Sequence, residues 1–187
     1  MPRGLPLILL TASLAAAPAG AASGRVAGPD GKPLAGARAC IQVERGEGIC
    51  SETDAEGWYR LPATKLPKVR IAAAGYLPRT VAAVDQAAII VLERAASLRV
   101  RLLDAESGQP LPKGELMLVS PSGRKRGPFP VNAAGLKVAT LAPGRVVPRG
   151  TAAGYHDAVG ADVELRAGQE AEIVLRLSRT AAPTSGK

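Results

Sequence analysis

Histidine occurs once in the 187 residues, at His156, and aromatic side chains amount to 3% of the chain: one Trp, three Tyr and one Phe. A single imidazole excludes most histidine-based acid–base and metal chemistry. His156 stands beside Asp157, and neighbours on a strand point to opposite faces, so the two are not a ready acid–base pair. No Gly-x-Ser-x-Gly elbow and no P-loop pattern occur, which removes the commonest nucleophile and phosphate-transfer signatures. The shortage of aromatics leaves little material for stacking on bases or sugars. Cysteine is limited to Cys40 and Cys50. No window keeps a helical period for long, and 21 Gly with 16 Pro would interrupt one.

The one extended apolar run lies at the start, at residues 5–17, after Met1-Pro2-Arg3-Gly4 and before Pro18-Ala19-Gly20-Ala21-Ala22-Ser23. One positive charge, an apolar stretch too short to span a bilayer and an Ala-x-Ala site match a secretory signal peptide. The expectation is a leader at 1–21 and an exported mature chain, periplasmic or secreted, with no transmembrane segment. A retained membrane anchor is the alternative, opposed by Pro18 and Gly20 and by the lack of a basic flank.

The formal charge is +8. Residues 22–95 carry 10 basic against 8 acidic side chains and residues 96–187 carry 13 against 8, so most of the excess lies in the C-terminal half. Such a balance favours anionic surfaces: acidic proteins, acidic glycans or phosphate-bearing envelope polymers. Nucleic acid is not expected as a partner, because the only dense basic run, Arg124-Lys125-Arg126, has no aromatics interleaved with it.

Short apolar segments alternate with Gly, Pro and Asp clusters, which is the spacing of strands. Residues 81–92 contain alanines that favour helix, yet read as two short strands. The second half repeats the first. Gly31-Lys32-Pro33-Leu34 aligns with Gly108-Gln109-Pro110-Leu111, Asp54-Ala55-Glu56-Gly57 with Asn132-Ala133-Ala134-Gly135, and Ala74-Gly75-Tyr76 with Ala153-Gly154-Tyr155. Successive landmark glycines are 26 and 18 residues apart in the first copy and 27 and 19 in the second. Two copies of one unit follow, at 22–95 and 96–180, with a disordered tail at 181–187. About seven short strands per copy suit a two-sheet sandwich.

The turn Asp30-Gly31-Lys32-Pro33-Leu34-Ala35-Gly36-Ala37, the turn Thr53-Asp54-Ala55-Glu56-Gly57 before an aromatic strand, and Ala74-Gly75-Tyr76 resemble the carboxypeptidase regulatory-like domain. The resemblance covers 24–93 and is weaker over 96–179, where Val131-Asn132 replaces the Thr-Asp pair. It implies an all-β chain of two tandem Greek-key sandwiches of the transthyretin-like (prealbumin-like) or Ig-like type, and an accessory role beside enzymes, transporters or surface proteins.

Several residue groups invite chemistry. With Ala39, Ile41 and Val43 facing the core, Cys40 faces outward; Ile49 inward and Cys50 outward follow on the next strand. A hairpin about Arg45-Gly46 would set the sulfurs opposite one another, and export places them where disulfides persist. Free or metal-binding thiols are the alternative, but zinc would need two more ligands. Glu52, Asp54 and Glu56 resemble half a calcium loop, yet position twelve is Ala63, and the repeat keeps the turn while dropping the acids. Turn chemistry is the expectation, with Asp54 or Asn132 bonding its own backbone two residues on. Tyr76 and Tyr155 fit a tyrosine corner bonded to upstream backbone, or a sugar-stacking surface. Of the adjacent Trp58 and Tyr59, alternation exposes one, the candidate binding aromatic. Ser122-Gly123-Arg124-Lys125-Arg126-Gly127 reads as a solvated hairpin and as the candidate loop for an anionic partner.

No cofactor is expected. The functional expectation is a non-catalytic exported accessory, binding or spacer module presenting loops to an envelope or extracellular protein or glycan. A surface or adhesin component that self-assembles through sheet edges is the alternative. A transthyretin-like hydrolase is remote: 5-hydroxyisourate hydrolases use several His and a C-terminal Tyr-Arg-Gly-Ser, whereas this tail runs from Ser178-Arg179-Thr180 with neither.

Overall fold

The computed structural model describes residues 22–44, 46–62, 68–82 and 88–180. The expected leader, the hairpin tip Arg45 and the tail at 181–187 fall outside them. Every regular element among the described residues is a strand. The first sandwich contains β1 (Ala22–Ala27), β2 (Arg38–Gln42), β3 (Glu47–Glu52), β4 (Trp58–Leu61), β5 (Lys68–Ala72), β6 (Arg79–Ala82) and β7 (Ile89–Val91). The second contains β8 (Ala96–Asp104), β9 (Lys113–Val119), β10 (Lys125–Asn132), β11 (Leu136–Leu141), β12 (Gly144–Thr151), β13 (Ala158–Val159), β14 (Val163–Leu165) and β15 (Glu170–Leu177).

Sheet orders make the repeat explicit. Sheets β4-β1-β7 and β3-β2-β5-β6 of the first sandwich correspond to β11-β8-β15 and β10-β9-β12-β13 of the second, where β14 adds to β12. In both copies the first strand pairs in parallel with the last, β1 with β7 and β8 with β15. Alternation drives the strands. Leu98, Val100 and Leu102 of β8 are buried while Arg99 and Arg101 are exposed, and β4 turns Tyr59 and Leu61 inward and Trp58 and Arg60 outward. Each copy closes over its own core: Val26, Ala39, Ile41, Tyr59, Val69 and Ile71 anchor one, and Leu98, Val100, Leu102, Leu116, Leu175 and Leu177 the other.

The copies fill one position differently. Gly24 lies opposite Tyr59 on β1 and β4, and a Cβ on Gly24 would come within 2.8 Å of the Tyr59 hydroxyl. The missing side chain is what admits the ring. In the second sandwich Val100 lies opposite Leu136, two medium side chains for one small and one large. Burial raises the Tyr59 phenol above its usual range.

The joint between sandwiches is tied down by backbone. Ala95 donates to the Gly75 carbonyl and accepts from Gly168 N–H, both at 2.9 Å, and Ser97 N–H donates to the Gln169 carbonyl at 3.0 Å. A turn from each sandwich therefore grips the same connecting residue.

Cys40 and Cys50 are directly opposite on β2 and β3 and form a disulfide. Cys40 alternates with Ala39 and Ile41 along β2, between Cys50 and Arg70 on the neighbouring strands, and is 2% exposed. The inward orientation expected for Ile49 is corrected: it is 61% exposed. The register shifts between Cys40 and Gln42, where Gly48 and Ile49 together face one residue of β2. This bulge adds a residue to β3 and reverses the alternation beyond Cys50.

Candidate functional site

The strongest constellation lies at one end of the second sandwich. Antiparallel connection puts the β9–β10 turn and the β11–β12 turn at the same end, and each turn delivers an arginine directly after a glycine, Gly123-Arg124 and Gly144-Arg145. Both glycines have positive φ, 77° and 135°, a conformation that lets the chain reverse tightly before the arginine. Arg124, Arg126 and Arg145 then line a cleft of about 320 Å³ with Ser120 and Ser122. Its apolar surface comes from Ala142, Pro143 and Val146, backed by the buried core residues Leu118, Leu141 and Leu165. No Asp or Glu lines it. Three arginines thus line one concave space whose lining contains no carboxylate, while Glu164 faces Arg145 across β12 and β14 outside it.

Of the expected basic run, Arg124 and Arg126 enter the cleft and Lys125 does not line it, as alternation on a strand requires. Sequence reasoning missed Arg145. The signal was the second Gly-Arg turn, recognisable only once both hairpins are known to open at one end.

Arg126 is held in place. Its Nη1 donates to the Thr140 carbonyl at 3.1 Å. Thr140 has a φ of 59°, the left-handed region that a β-branched residue rarely adopts. It lies where β11 shifts register between Val138 and Leu141, so the extra residue of the bulge turns this carbonyl toward the arginine. The hydroxyls of Ser120 and Ser122 are 2.9 Å apart, and Arg124 N–H donates to Ser120 Oγ at 3.1 Å. The turn that carries Arg124 is therefore fixed by its own side chains.

A second surface lies on the first sandwich. Trp58 and Ile89 both pair with Arg25 across β4-β1-β7, and Trp58, Ile89 and Val91 are exposed. Tyr59 is 1% exposed and belongs to the core, so within the adjacent aromatic pair only Trp58 is presented to solvent. The equivalent face of the second sandwich is charged. There Arg99 and Lys137 bind Glu170, and Arg101 meets Glu172 at 2.8 Å. Lys137, then Arg99, hold the Glu170 carboxyl below its usual range.

The tyrosine corner departs from expectation in its partner. Tyr155 donates to Asp104 Oδ2 at 2.9 Å rather than to upstream backbone, and Arg179 Nε reaches the same oxygen at 2.7 Å. Asp104 Oδ1 accepts from Glu106 N–H and Ser107 N–H. The Ser107 bond, then Arg179 and Tyr155, hold the Asp104 carboxyl far below the usual carboxylate range. With the Asp104 side chain 3% exposed and both oxygens occupied, this triad is a structural clamp between the end of β8 and the residues after β15. In the first sandwich Gly28 takes the place of Asp104, with the Tyr76 hydroxyl 3.3 Å from where its Cβ would be.

The acidic segment behaves as a turn. Asp54 Oδ1 accepts from Trp58 N–H at 2.7 Å, four residues on rather than the two expected. Asn132 Oδ1 does accept two residues on, from Ala134 N–H at 3.0 Å. Thr53 is buried and its hydroxyl bridges Ala37 N–H and the Leu34 carbonyl. Among the described residues no group of three His, Cys, Asp or Glu could hold a metal ion. His156 is exposed. No helix among the described residues is long and apolar enough to cross a membrane.

No protein-family model matches the sequence, and no curated protein matches it. Similar solved structures include the shaft pilin SpaA from Lactobacillus rhamnosus GG, 11% identical with a TM-score of 0.43, covering 87% of this chain and 98% of that one. The minor pilin GBS52 of Streptococcus agalactiae is 11% identical with a TM-score of 0.39, over 88% and 99%. The Bacillus anthracis TIE protein is 16% identical with a TM-score of 0.43 over 86% of this chain, which spans only 34% of that protein.

Proposed function

We propose that the chain is an exported, non-catalytic accessory or binding module. In this reading a leader at 1–21 is removed, and two carboxypeptidase regulatory-like sandwiches, 22–95 and 96–180, hold a basic cleft toward an anionic envelope or extracellular partner, protein or glycan. The observation that carries the reading is the set of Arg124, Arg126 and Arg145 around a cleft without a carboxylate. Like charges gathered in a concave, partly apolar space repel one another, and an anionic partner relieves that repulsion. The tied joint at Ala95 supports a spacer role, because the cleft is then carried at a fixed offset from the first sandwich. An exposed lone histidine and the absence of a nucleophile elbow support a role without catalysis.

Retention on immobilised dextran sulfate, compared with neutral dextran at physiological ionic strength, tests this. The wild type is expected to be retained and released by salt. The triple variant Arg124→Ala, Arg126→Ala, Arg145→Ala is expected to pass through. A control removing the same charge elsewhere, Lys32→Ala, Lys113→Ala, Arg176→Ala, keeps the retention. Equal loss in both variants would reduce the cleft to net charge and defeat the reading.

A second reading, self-assembly through sheet edges, draws on Trp58, Ile89 and Val91, exposed on a sheet whose edge strand β7 is three residues long. Light scattering across a concentration series should then show growth that Ile89→Lys abolishes. A strict monomer at all concentrations removes it.

A further inference from the structure

Resting on the reading of the cleft as the docking site, we infer that its ligand is an alkyl phosphate: a phosphate dianion seated among Arg124, Arg126 and Arg145 whose first carbons lie on the aliphatic floor. The polar side chains that line the cleft are three guanidinium groups and two hydroxyls. Guanidinium groups only donate, and hydroxyls donate readily, so the complementary group is rich in acceptor oxygens. A carboxylate carries one charge and two oxygens in a plane and would leave much of the set uncompensated. A phosphate monoester carries between one and a half and two negative charges near neutral pH and three terminal oxygens pointing in different directions. That arrangement matches arginines arriving from two separate hairpins.

The floor decides what the phosphate is attached to. Ala142, Pro143 and Val146, backed by the buried Leu118, Leu141 and Leu165, offer only aliphatic carbon, and no aromatic ring lines the space. A nucleobase or a sugar ring would find no stacking partner, whereas methylene groups fit against branched aliphatic side chains. The anchoring of Arg126 by the Thr140 carbonyl leaves the rest of its donor fork available and reduces the side-chain freedom lost on binding. Alkyl phosphates occur as free small molecules and as lipid headgroups, and both present this chemistry.

Calorimetric titration of the whole chain with inorganic phosphate, n-butyl phosphate and pentanoate tests the inference. Burial of about two methylenes predicts that n-butyl phosphate binds on the order of tenfold more tightly than inorganic phosphate, with pentanoate weaker than n-butyl phosphate. Equal binding of the two phosphates, or tighter binding of pentanoate, overturns the assignment. The Arg124→Ala, Arg126→Ala, Arg145→Ala variant is expected to lose binding while keeping its circular dichroism and its disulfide; retained affinity in that folded variant also overturns it. The single variant Arg126→Lys serves if the triple variant misfolds: it keeps the charge, and a several-fold loss is expected because the fork is gone. Co-sedimentation with phosphatidylcholine vesicles, with and without phosphatidic acid, separates the sources. Recruitment by phosphatidic acid supports a lipid headgroup, and n-butyl phosphate binding without recruitment supports a free ligand. Loss of both, with arginine-dependent dextran sulfate retention intact, overturns the alkyl phosphate and leaves the anionic docking site standing. Arginine-dependent n-butyl phosphate binding without that retention has the opposite meaning.

Discussion

The two sandwiches share one topology and solve the same packing problem by different means. The first relies on a covalent bridge between β2 and β3, and on a buried tyrosine admitted by a glycine. The second has no cysteine and uses an ionic clamp, Asp104 with Tyr155 and Arg179, together with a charged ladder across β11, β8 and β15. Their outer faces differ accordingly: Trp58, Ile89 and Val91 on one, Lys137, Arg99, Glu170 and Glu172 on the other. The comparison teaches that the strand order depends on alternation and glycine turns common to both copies. Each copy has then acquired its own lock, and the basic cleft belongs to the copy with the ionic lock.

The largest expected effect comes from breaking that ionic lock. Asp104→Ala removes the acceptor of four hydrogen bonds and leaves Arg179, Tyr155 and two N–H groups without it. The melting temperature of the second sandwich should fall by more than loss of the disulfide lowers that of the first, read by calorimetry. The pH dependence has a fixed sign. Because the folded-state carboxyl is held below its unfolded value of about 3.9, its contribution is present above that value and is lost as pH falls through and below it. Acid should therefore selectively weaken the second sandwich, and Asp104→Asn should flatten that part of the profile.

Opening the covalent lock comes next. Cys40→Ala with Cys50→Ala, or reduction, should destabilise the first sandwich by about 2–3 kcal/mol on the chain-entropy account. Denaturant unfolding followed through Trp58 fluorescence reads this change. A drop in the second sandwich instead would show that the two locks are not independent.

The Gly24–Tyr59 exchange sharpens the comparison at a smaller scale. Gly24→Val should cost about 1–3 kcal/mol, because its Cβ meets the tyrosine ring. Adding Tyr59→Leu imports the second sandwich's pair and should recover part of the loss, measured as a coupling in a double-mutant cycle. The smallest effect is expected at the ladder, where Glu172→Gln removes an exposed pair with Arg101. A slight loss at low salt should vanish at high salt.

Much of this architecture was legible in the sequence. Glycine spacing revealed the repeat, because each landmark glycine marks a reversal that both copies need. The cysteine pairing followed from alternation, although the bulge at Gly48 and Ile49 defeated the same rule at Ile49, the residue before Cys50. Asp104 was not legible as a buried charge. Its side-chain partners lie 51 and 75 residues away and only the fold brings them together. The cleft was legible by half: a basic run names Arg124 and Arg126, but Arg145 joins them through the geometry of two hairpins.

In the proposed function this cleft, and not the basic surface at large, meets an anionic partner. Titration of isotope-labelled protein with short dextran sulfate oligomers, followed by backbone amide chemical shifts, tests it most directly. Saturable shifts confined to residues 120–126 and 141–146 are expected. Shifts spread over the exposed lysines and arginines of both sandwiches, or centred on Trp58 and Ile89, would contradict it.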